Sequence, residues 1–355
     1  MENGQTFYND IDEFLGAKDG RFFGNGFSKV GNQITDIYIN ISPEKKSTHS
    51  NAKLLQTKGI SLGYVQAKGS LSYPDDWSKK SEDTELKPHL STIDALNLSM
   101  QLNEMFLIHK YNLDNVDREH MWLKKYSISA GNTPYENLDA FEIYTICKET
   151  VSQVSINSSV SVFESKIGAL KVYCEIEHKI KQAAKTDYEF FYVDGEDILG
   201  KSESRYYGMG YKYSDYDVFN LKIDYKNEKI ENGVRINRVK ETPIGIEGFY
   251  RPSISMIDSI ILGGQLSQAL LYNIDQVERE DTGTLWMRKV TMENENPSKQ
   301  NKEFVAETHI TNAKIINMRG SLWRKADIYS NFNGIICNYS LAYELPKEKV
   351  QGGKI

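Results

Sequence analysis

Asp94 and Asp258 each stand three residues after a serine, Ser91 and Ser255, at the head of an apolar run. A Ser-x-x-acid opening has two chemical readings. In one, the serine caps a helix and the acid faces its N-terminal dipole, worth about 0.5–2 kcal/mol. In the other, the acid is a general base beside backbone N–H groups that can hold an oxyanion. Gln101 and Gln265 follow seven residues later, two turns on, and so share the face of the acid. A neutral amide in an apolar helix must find hydrogen bonds, whether with a strand or with a substrate. Gly263-Gly264 replaces Ser99-Met100 in the second run. Glycine inside a helix costs up to about 1 kcal/mol, so a close approach is expected there, by a packed element or by an acyl chain. This asymmetry makes the second run the expected active half. Its catalytic acid would be Asp258, with Asp94 as counterpart. Its substrate contacts would be Ser255, Gly263, Gly264, Gln265 and Gln101, with Arg251, just before the helix, placed to meet a phosphate. His89 adjoins the start of the first run and is the histidine to choose if one acts; His109 and His309 read as ordinary surface or core residues.

These spacings matter only on helices, and the chain supplies the same helix twice. Arg251 to Lys289 begins RPSISMIDSIILGGQLSQALLYNID, and Lys87 to Lys125, 164 residues earlier, begins KPHLSTIDALNLSMQLNEMFLIHKYN. In ungapped register Pro252 falls on Pro88, Asp258 on Asp94, Gln265 on Gln101 and Trp286 on Trp122. The chain has only four tryptophans, so one falling on another at constant offset is informative. A second match runs at offset 184, where DEFLGAKDGRFFGNGF from Asp12 overlies EDILGKSESRYYGMGY from Glu196. It pairs Arg21 with Arg205 and Gly24-x-Gly26 with Gly208-x-Gly210. Lys29 and Tyr213 stand where a dinucleotide fingerprint has its third glycine, so a nicotinamide site is not expected and the glycines read as turns or bulges. Alternation in ITDIYINI and VFNLKIDY marks strands with one buried face. The offset falls from 184 to 164, so the first copy carries about twenty extra residues. They are expected as a surface loop at about 73–87, which is polar and lacks periodicity.

Composition bounds the rest. The 355 residues suit about two domains, 26% are charged and 39% apolar, and the net charge is −6 with no long block of either sign. That gives no footprint for nucleic acid. No apolar run approaches the roughly 20 residues a membrane span needs, and the acidic opening MENGQTFYNDIDEF is unlike a signal peptide. Cys147, Cys174 and Cys337 lack metal-type spacing and read as buried free thiols in a reducing cytoplasm, with no metal expected.

Each half therefore reads as strands, one long apolar helix, then three or four more strands. A helix apolar on most sides must be covered on most sides, and a sheet curled round it does that. The expected class is α+β, a tandem (double) hotdog in which each half is a curved antiparallel sheet wrapped round one long helix. The halves would be 1–185 and 190–346, superposable and related by a pseudo-two-fold, with a disordered tail at 347–355. Such a pseudo-dimer would be a monomer or a homodimer.

The segments IDEFLGAKDGRFFGNGF and PSISMIDSIILGGQL, with the repeated GxG, resemble the bacterial avirulence D (AvrD) family over most of both halves. That family is similar in turn to A-factor-type butenolide synthases and to double-hotdog dehydratases. The resemblance implies syringolide-like biosynthesis, in which a β-ketoacyl thioester is joined to a small sugar or polyol and the product cyclises. It implies no bound cofactor, and an acyl donor on coenzyme A or an acyl carrier protein. A dehydratase, a thioesterase or a non-catalytic acyl-ligand binder are the alternatives. The hotdog dehydratases pair a histidine in one half with an acid on the helix of the other. Here His89 aligns with Ser253, so no histidine repeats, and dehydration is disfavoured.

Overall fold

A computed structural model describes residues 4–41, 61–80, 86–131, 133–153, 158–181, 189–297 and 303–346. Its two long helices span Thr92–Tyr111 and Met256–Asp275, in the same register at the 164-residue offset. Both start with a full capping box. The Ser91 and Ser255 hydroxyls accept from the third helical N–H, and Asp94 and Asp258 return a bond to the serine N–H. Both end on a left-handed residue, Asn112 and Gln276. Burial runs round nearly the whole circumference of each, including Asn97, Ser99 and Asn103 in the first and Ser259 and Ser267 in the second.

Among the described residues, fourteen antiparallel strands form one sheet around these helices. In the first copy they are β2 (Gly31–Asn40), β3 (Gly63–Ser72), β4 (Trp122–Ser129), β5 (Phe141–Gln153), β6 (Ser158–Ile167) and β7 (Leu170–His178). In the second they are β9 (Ser214–Asp224), β10 (Lys229–Arg238), β11 (Trp286–Glu293), β12 (Glu303–Met318), β13 (Ser321–Phe332) and β14 (Ile335–Glu344). Two short strands, β1 (Gln5–Asp10) and β8 (Glu189–Asp194), open the two copies. The order is β1-β9-β10-β12-β13-β14-β11-β4-β7-β6-β5-β3-β2-β8. The pair β4–β11 joins the halves, and in its register Ser127 faces Thr291, its own counterpart 164 residues on. The pseudo-two-fold axis therefore passes between these two hydroxyls. This is a tandem hotdog: one antiparallel sheet with two curved halves, each holding one buried helix.

The contiguous halves exchange their first strands. β1 pairs with β9 of the second sheet, and β8 pairs with β2 of the first. The segment after β1, including Phe23, consequently packs on the second helix rather than the first. Left-handed residues Asp36 and Asn220 recur at the 184-residue offset, so the local strand irregularity is repeated along with the hydrophobic pattern.

The extra residues of the first copy do not lie at 73–87. Residues 41–62 separate β2 from β3, against 225–228 between β9 and β10, whereas 73–91 and 239–255 are nearly equal in length. The stretch at 73–80 is not a free surface loop either. Trp77 is only 7% exposed, and its carbonyl sits where a Cβ on Gly26 would be, 1.9 Å away. The sequence reads as loop because it lacks a period, but irregular backbone can still pack when its aromatic residues find a face to cover. The tail at 347–355 lies outside the described residues. All three cysteines are buried and unpaired. Among the described residues no helix is long and apolar enough to cross a membrane.

Candidate functional site

The two helix starts share a sequence pattern but not an environment. Asp258 is completely buried and accepts five hydrogen bonds. Oδ1 receives the hydroxyls of Tyr206 at 3.1 Å and Tyr216 at 2.7 Å. Oδ2 receives Arg238 Nη2 at 2.7 Å, the Ser255 N–H at 2.7 Å and the Ser255 hydroxyl at 2.9 Å. Burial alone would raise this carboxyl. The charges of Arg238 and Arg251 and the surrounding hydrogen bonds overcome that and hold it below the usual carboxylate value. A carboxylate with every lone pair engaged and an arginine against it is a weak base.

The other residues expected around Asp258 are equally committed. The Arg251 guanidinium lies 3.3 Å over the Tyr206 ring and donates to Glu247 at 2.8 Å and to the Ser253 carbonyl at 3.0 Å. A Cβ on Gly263 would fall 2.3 Å from the Tyr339 hydroxyl, and one on Gly264 would fall 2.7 Å from the Phe23 ring. These glycines admit β14 and the exchanged N-terminal segment to the helix; they do not line a channel. Gln101 Oε1 accepts from Arg205 Nη1 at 3.0 Å, a tie to the exchanged segment of the second copy. Gln265 is buried on the corresponding face of its helix.

At the first helix start the surroundings differ. Asp94 accepts from the Ser91 N–H at 3.1 Å, the Ser91 hydroxyl at 2.6 Å and the Tyr73 hydroxyl at 2.6 Å. No arginine touches it. Burial therefore dominates and pushes its carboxyl above the usual range, against the pull of the Ser91 and Tyr73 bonds. In front of this helix start opens a cavity of about 130 Å³. Leu90, Ser91 and Thr92 form its floor, Phe22, Tyr73, Trp77 and Trp286 its aromatic walls, and Arg21, Lys80, Arg279 and Arg288 its basic side.

His89 lines the same cavity. Its Nδ1 lies 3.0 Å from the Lys87 carbonyl oxygen. A carbonyl only accepts, so Nδ1 carries a proton, and in the neutral form of the ring Nε2 is the basic atom. The ring is held by Trp286, at 5.0 Å between centroids, and by Trp77 edge-on at 6.4 Å. Phe22, one of the cavity walls, has Tyr206 as its counterpart, and there the Arg251 guanidinium covers the ring. Sequence alone pointed to the second helix start; this cavity opens before the first, with residues of both halves in its lining. Of the residues expected to act, the structure brings His89 and Ser91 to the cavity with Asp94 bonded just behind them, and it places Asp258, Gly263, Gly264 and Arg251 elsewhere. Tyr73, Trp77 and Lys80 were hidden in a stretch that read as loop. Trp286 carried a signal, its match to Trp122, that was read only as a repeat marker.

The whole length of this fold is matched by one family model, Pseudomonas avirulence D protein (AvrD), over residues 6–346. The chain belongs to the AvrD family. No curated protein matches it. Among solved structures, the chain is similar to the tesB protein of Mycobacterium avium subsp. paratuberculosis, at 9% identity and TM-score 0.36, covering 79% of this chain and 93% of that one. It is also similar to a putative oleoyl thioesterase from Lactobacillus plantarum, at 8% identity and TM-score 0.38, covering 73% and 90%. The dehydratase domain from the CurJ module of curacin polyketide synthase matches at 9% identity and TM-score 0.30, covering 82% and 93%. At these scores the likenesses add nothing to the topology, which stands on its own register. Among the described residues no group of His, Cys, Asp and Glu could hold a metal ion.

Proposed function

We propose that this AvrD-family chain transfers a β-ketoacyl group from a thioester to a hydroxyl of a small sugar or polyol, in the cavity before the first long helix. The acyl donor would be carried on coenzyme A or an acyl carrier protein. The observation that carries the reading is His89, whose Nδ1 is committed to the Lys87 carbonyl and whose ring is held in a cavity at a helix start.

In this reading the thioester carbonyl points at the first turn, where the Thr92 and Ile93 N–H groups belong to the four that a helix cannot use itself. His89 Nε2 takes the proton of the acceptor hydroxyl as its oxygen attacks the carbonyl carbon. The tetrahedral intermediate then collapses, the C–S bond breaks, and the departing thiolate takes the proton from His89. An ester C–O bond replaces the thioester C–S bond with no oxidant or metal. Asp94 fixes the helix start through Ser91 and steadies Tyr73. Dehydration would need an acid across from the histidine. The helix acid of the other half, Asp258, is held as a carboxylate by Arg238, which favours acyl transfer.

The test is thiol release and mass detection of the acyl ester, with a β-ketoacyl thioester and a panel of small polyols. His89→Gln should reduce turnover by about 10²–10⁴-fold with an unchanged melting curve. Undiminished ester formation by folded His89→Gln would remove His89 as the base, and absence of any ester with wild type would leave the binder reading.

A further inference from the structure

The basic side of the cavity has no role in acyl transfer as just described, and it is unusual for this chain. The protein carries a net charge of −6, yet Arg21, Lys80, Arg279 and Arg288 line the cavity, and among the described residues no carboxylate does. Arg21 is the telling residue. It is 2% exposed, and one nitrogen, Nη2, pairs with Asp12. Its Nε and Nη1 are buried with no hydrogen-bond partner. An unmet buried donor costs about 1–3 kcal/mol, more when charged. The repeat supplies an internal control. Arg205, the same residue in the other copy, has Nε on the Gly200 carbonyl at 3.1 Å and Nη1 on Gln101 Oε1 at 3.0 Å. The arginine is satisfied where the space is filled and unsatisfied where the cavity opens.

Two more cations are anchored at the same wall. Arg279 Nη2 donates to the Gly20 carbonyl at 3.0 Å and the Lys79 carbonyl at 2.8 Å. Lys80 Nζ donates to the Thr282 carbonyl at 2.7 Å, the Thr282 hydroxyl at 2.9 Å and the Gly283 carbonyl at 2.5 Å. These acceptors are neutral, and among the described residues no carboxylate is hydrogen-bonded to either side chain. Burial first, and then the charge of Arg279, push Lys80 down to about 7.

We infer that this wall is a phosphate subsite, built to take a phosphate monoester dianion on one of the two substrates. A carboxylate would answer only one of the charges. Two negative charges and three peripheral oxygens suit an arginine with two unpartnered nitrogens beside two further basic side chains. The inference rests on the acyl-transfer reading for which molecule brings the phosphate, but not for the subsite itself. A monoester of this kind belongs to a phosphorylated polyol acceptor; the pantetheine phosphate of coenzyme A or an acyl carrier protein, a diester with one charge, is the other source that the kinetics compare.

Trp77 and Trp286 stand in the cavity wall and make binding directly visible. Titration of the full-length protein with inorganic phosphate, at constant ionic strength set by chloride, should change tryptophan fluorescence saturably. Lys80→Gln and Arg21→Gln should each weaken that binding at least tenfold. Lys80 lies on a connecting segment, so its variant keeps the test valid should Arg21→Gln fail to fold. Kinetics then assign the source. A free polyol is compared with its phosphorylated form, and a phosphopantetheine thioester with an N-acetylcysteamine thioester. At least a tenfold preference in kcat/KM for one phosphorylated partner, lost in Lys80→Gln, identifies it. No saturable phosphate response, or equal response in wild type and both variants, overturns the subsite. Saturable phosphate binding without any ester product would retain the subsite and sink the acyl-transfer reading instead.

Discussion

Replacement of Asp258 by asparagine separates a structural acid from a catalytic one. The side chain keeps its shape but loses its charge. The amide can set its oxygen toward Arg238 and the Ser255 N–H, and its NH2 toward the Tyr206 and Tyr216 hydroxyls, which can turn to accept. What it cannot do is neutralise Arg238, whose side chain is only 12% exposed. Removing one member of a buried pair costs about 3–5 kcal/mol, because the remaining charge is left uncompensated. The loss should therefore lie in that range, a large share of the roughly 5–15 kcal/mol that holds a typical domain together. Its pH dependence has a definite sign. The folded carboxyl sits below its unfolded value, so its contribution is complete above the unfolded pKa of about 3.9 and is lost as pH falls through the folded pKa. The gap between wild type and Asp258→Asn should be constant near neutral pH and close below about pH 4. Urea unfolding followed by circular dichroism measures it, since urea leaves the ion pair unscreened by added salt. Turnover of the folded variant should stay within a few-fold of wild type. A stability change below about 1 kcal/mol joined to a loss of 10²-fold or more in turnover would refute this reasoning. Asp258 would then be the reacting base, and the second half the active one.

Two further substitutions test the packing. Gly263→Ala gains up to about 1 kcal/mol in helix propensity but drives a methyl into Tyr339, whose hydroxyl is tied to the Ser259 carbonyl at 2.8 Å. The net should be a loss of about 1–3 kcal/mol in unfolding free energy with KM unchanged; a raised KM in an equally stable protein would make Gly263 a cavity wall. Trp77→Ala should cost about 3–5 kcal/mol, and a melting curve within a degree of wild type would return residues 73–80 to the status of a free loop.

The sequence carried what depends on local period and on repetition. Alternation set the strands, apolar runs set the helices, and Ser91/Asp94 and Ser255/Asp258 marked both helix starts to the residue. The 164-residue offset foretold a pseudo-two-fold, and the register of β4 on β11 carries it at Ser127 and Thr291. These signals are legible because burial imposes period on a chain. What only the tertiary structure decided is which helix start is closed and which is open. Asp258 is neutralised by Arg238, Tyr206 and Tyr216, from 20, 52 and 42 residues away in sequence, and nothing in the local pattern marks them as its partners. The glycine pair that suggested an open second half records instead the approach of Tyr339 and Phe23. The exchange of β1 and β8 between sheets brought Arg21 to a wall made by Lys80 and Arg279. A charge left without its partner is a property of three-dimensional surroundings, so two arginines identical in the repeat came to opposite fates.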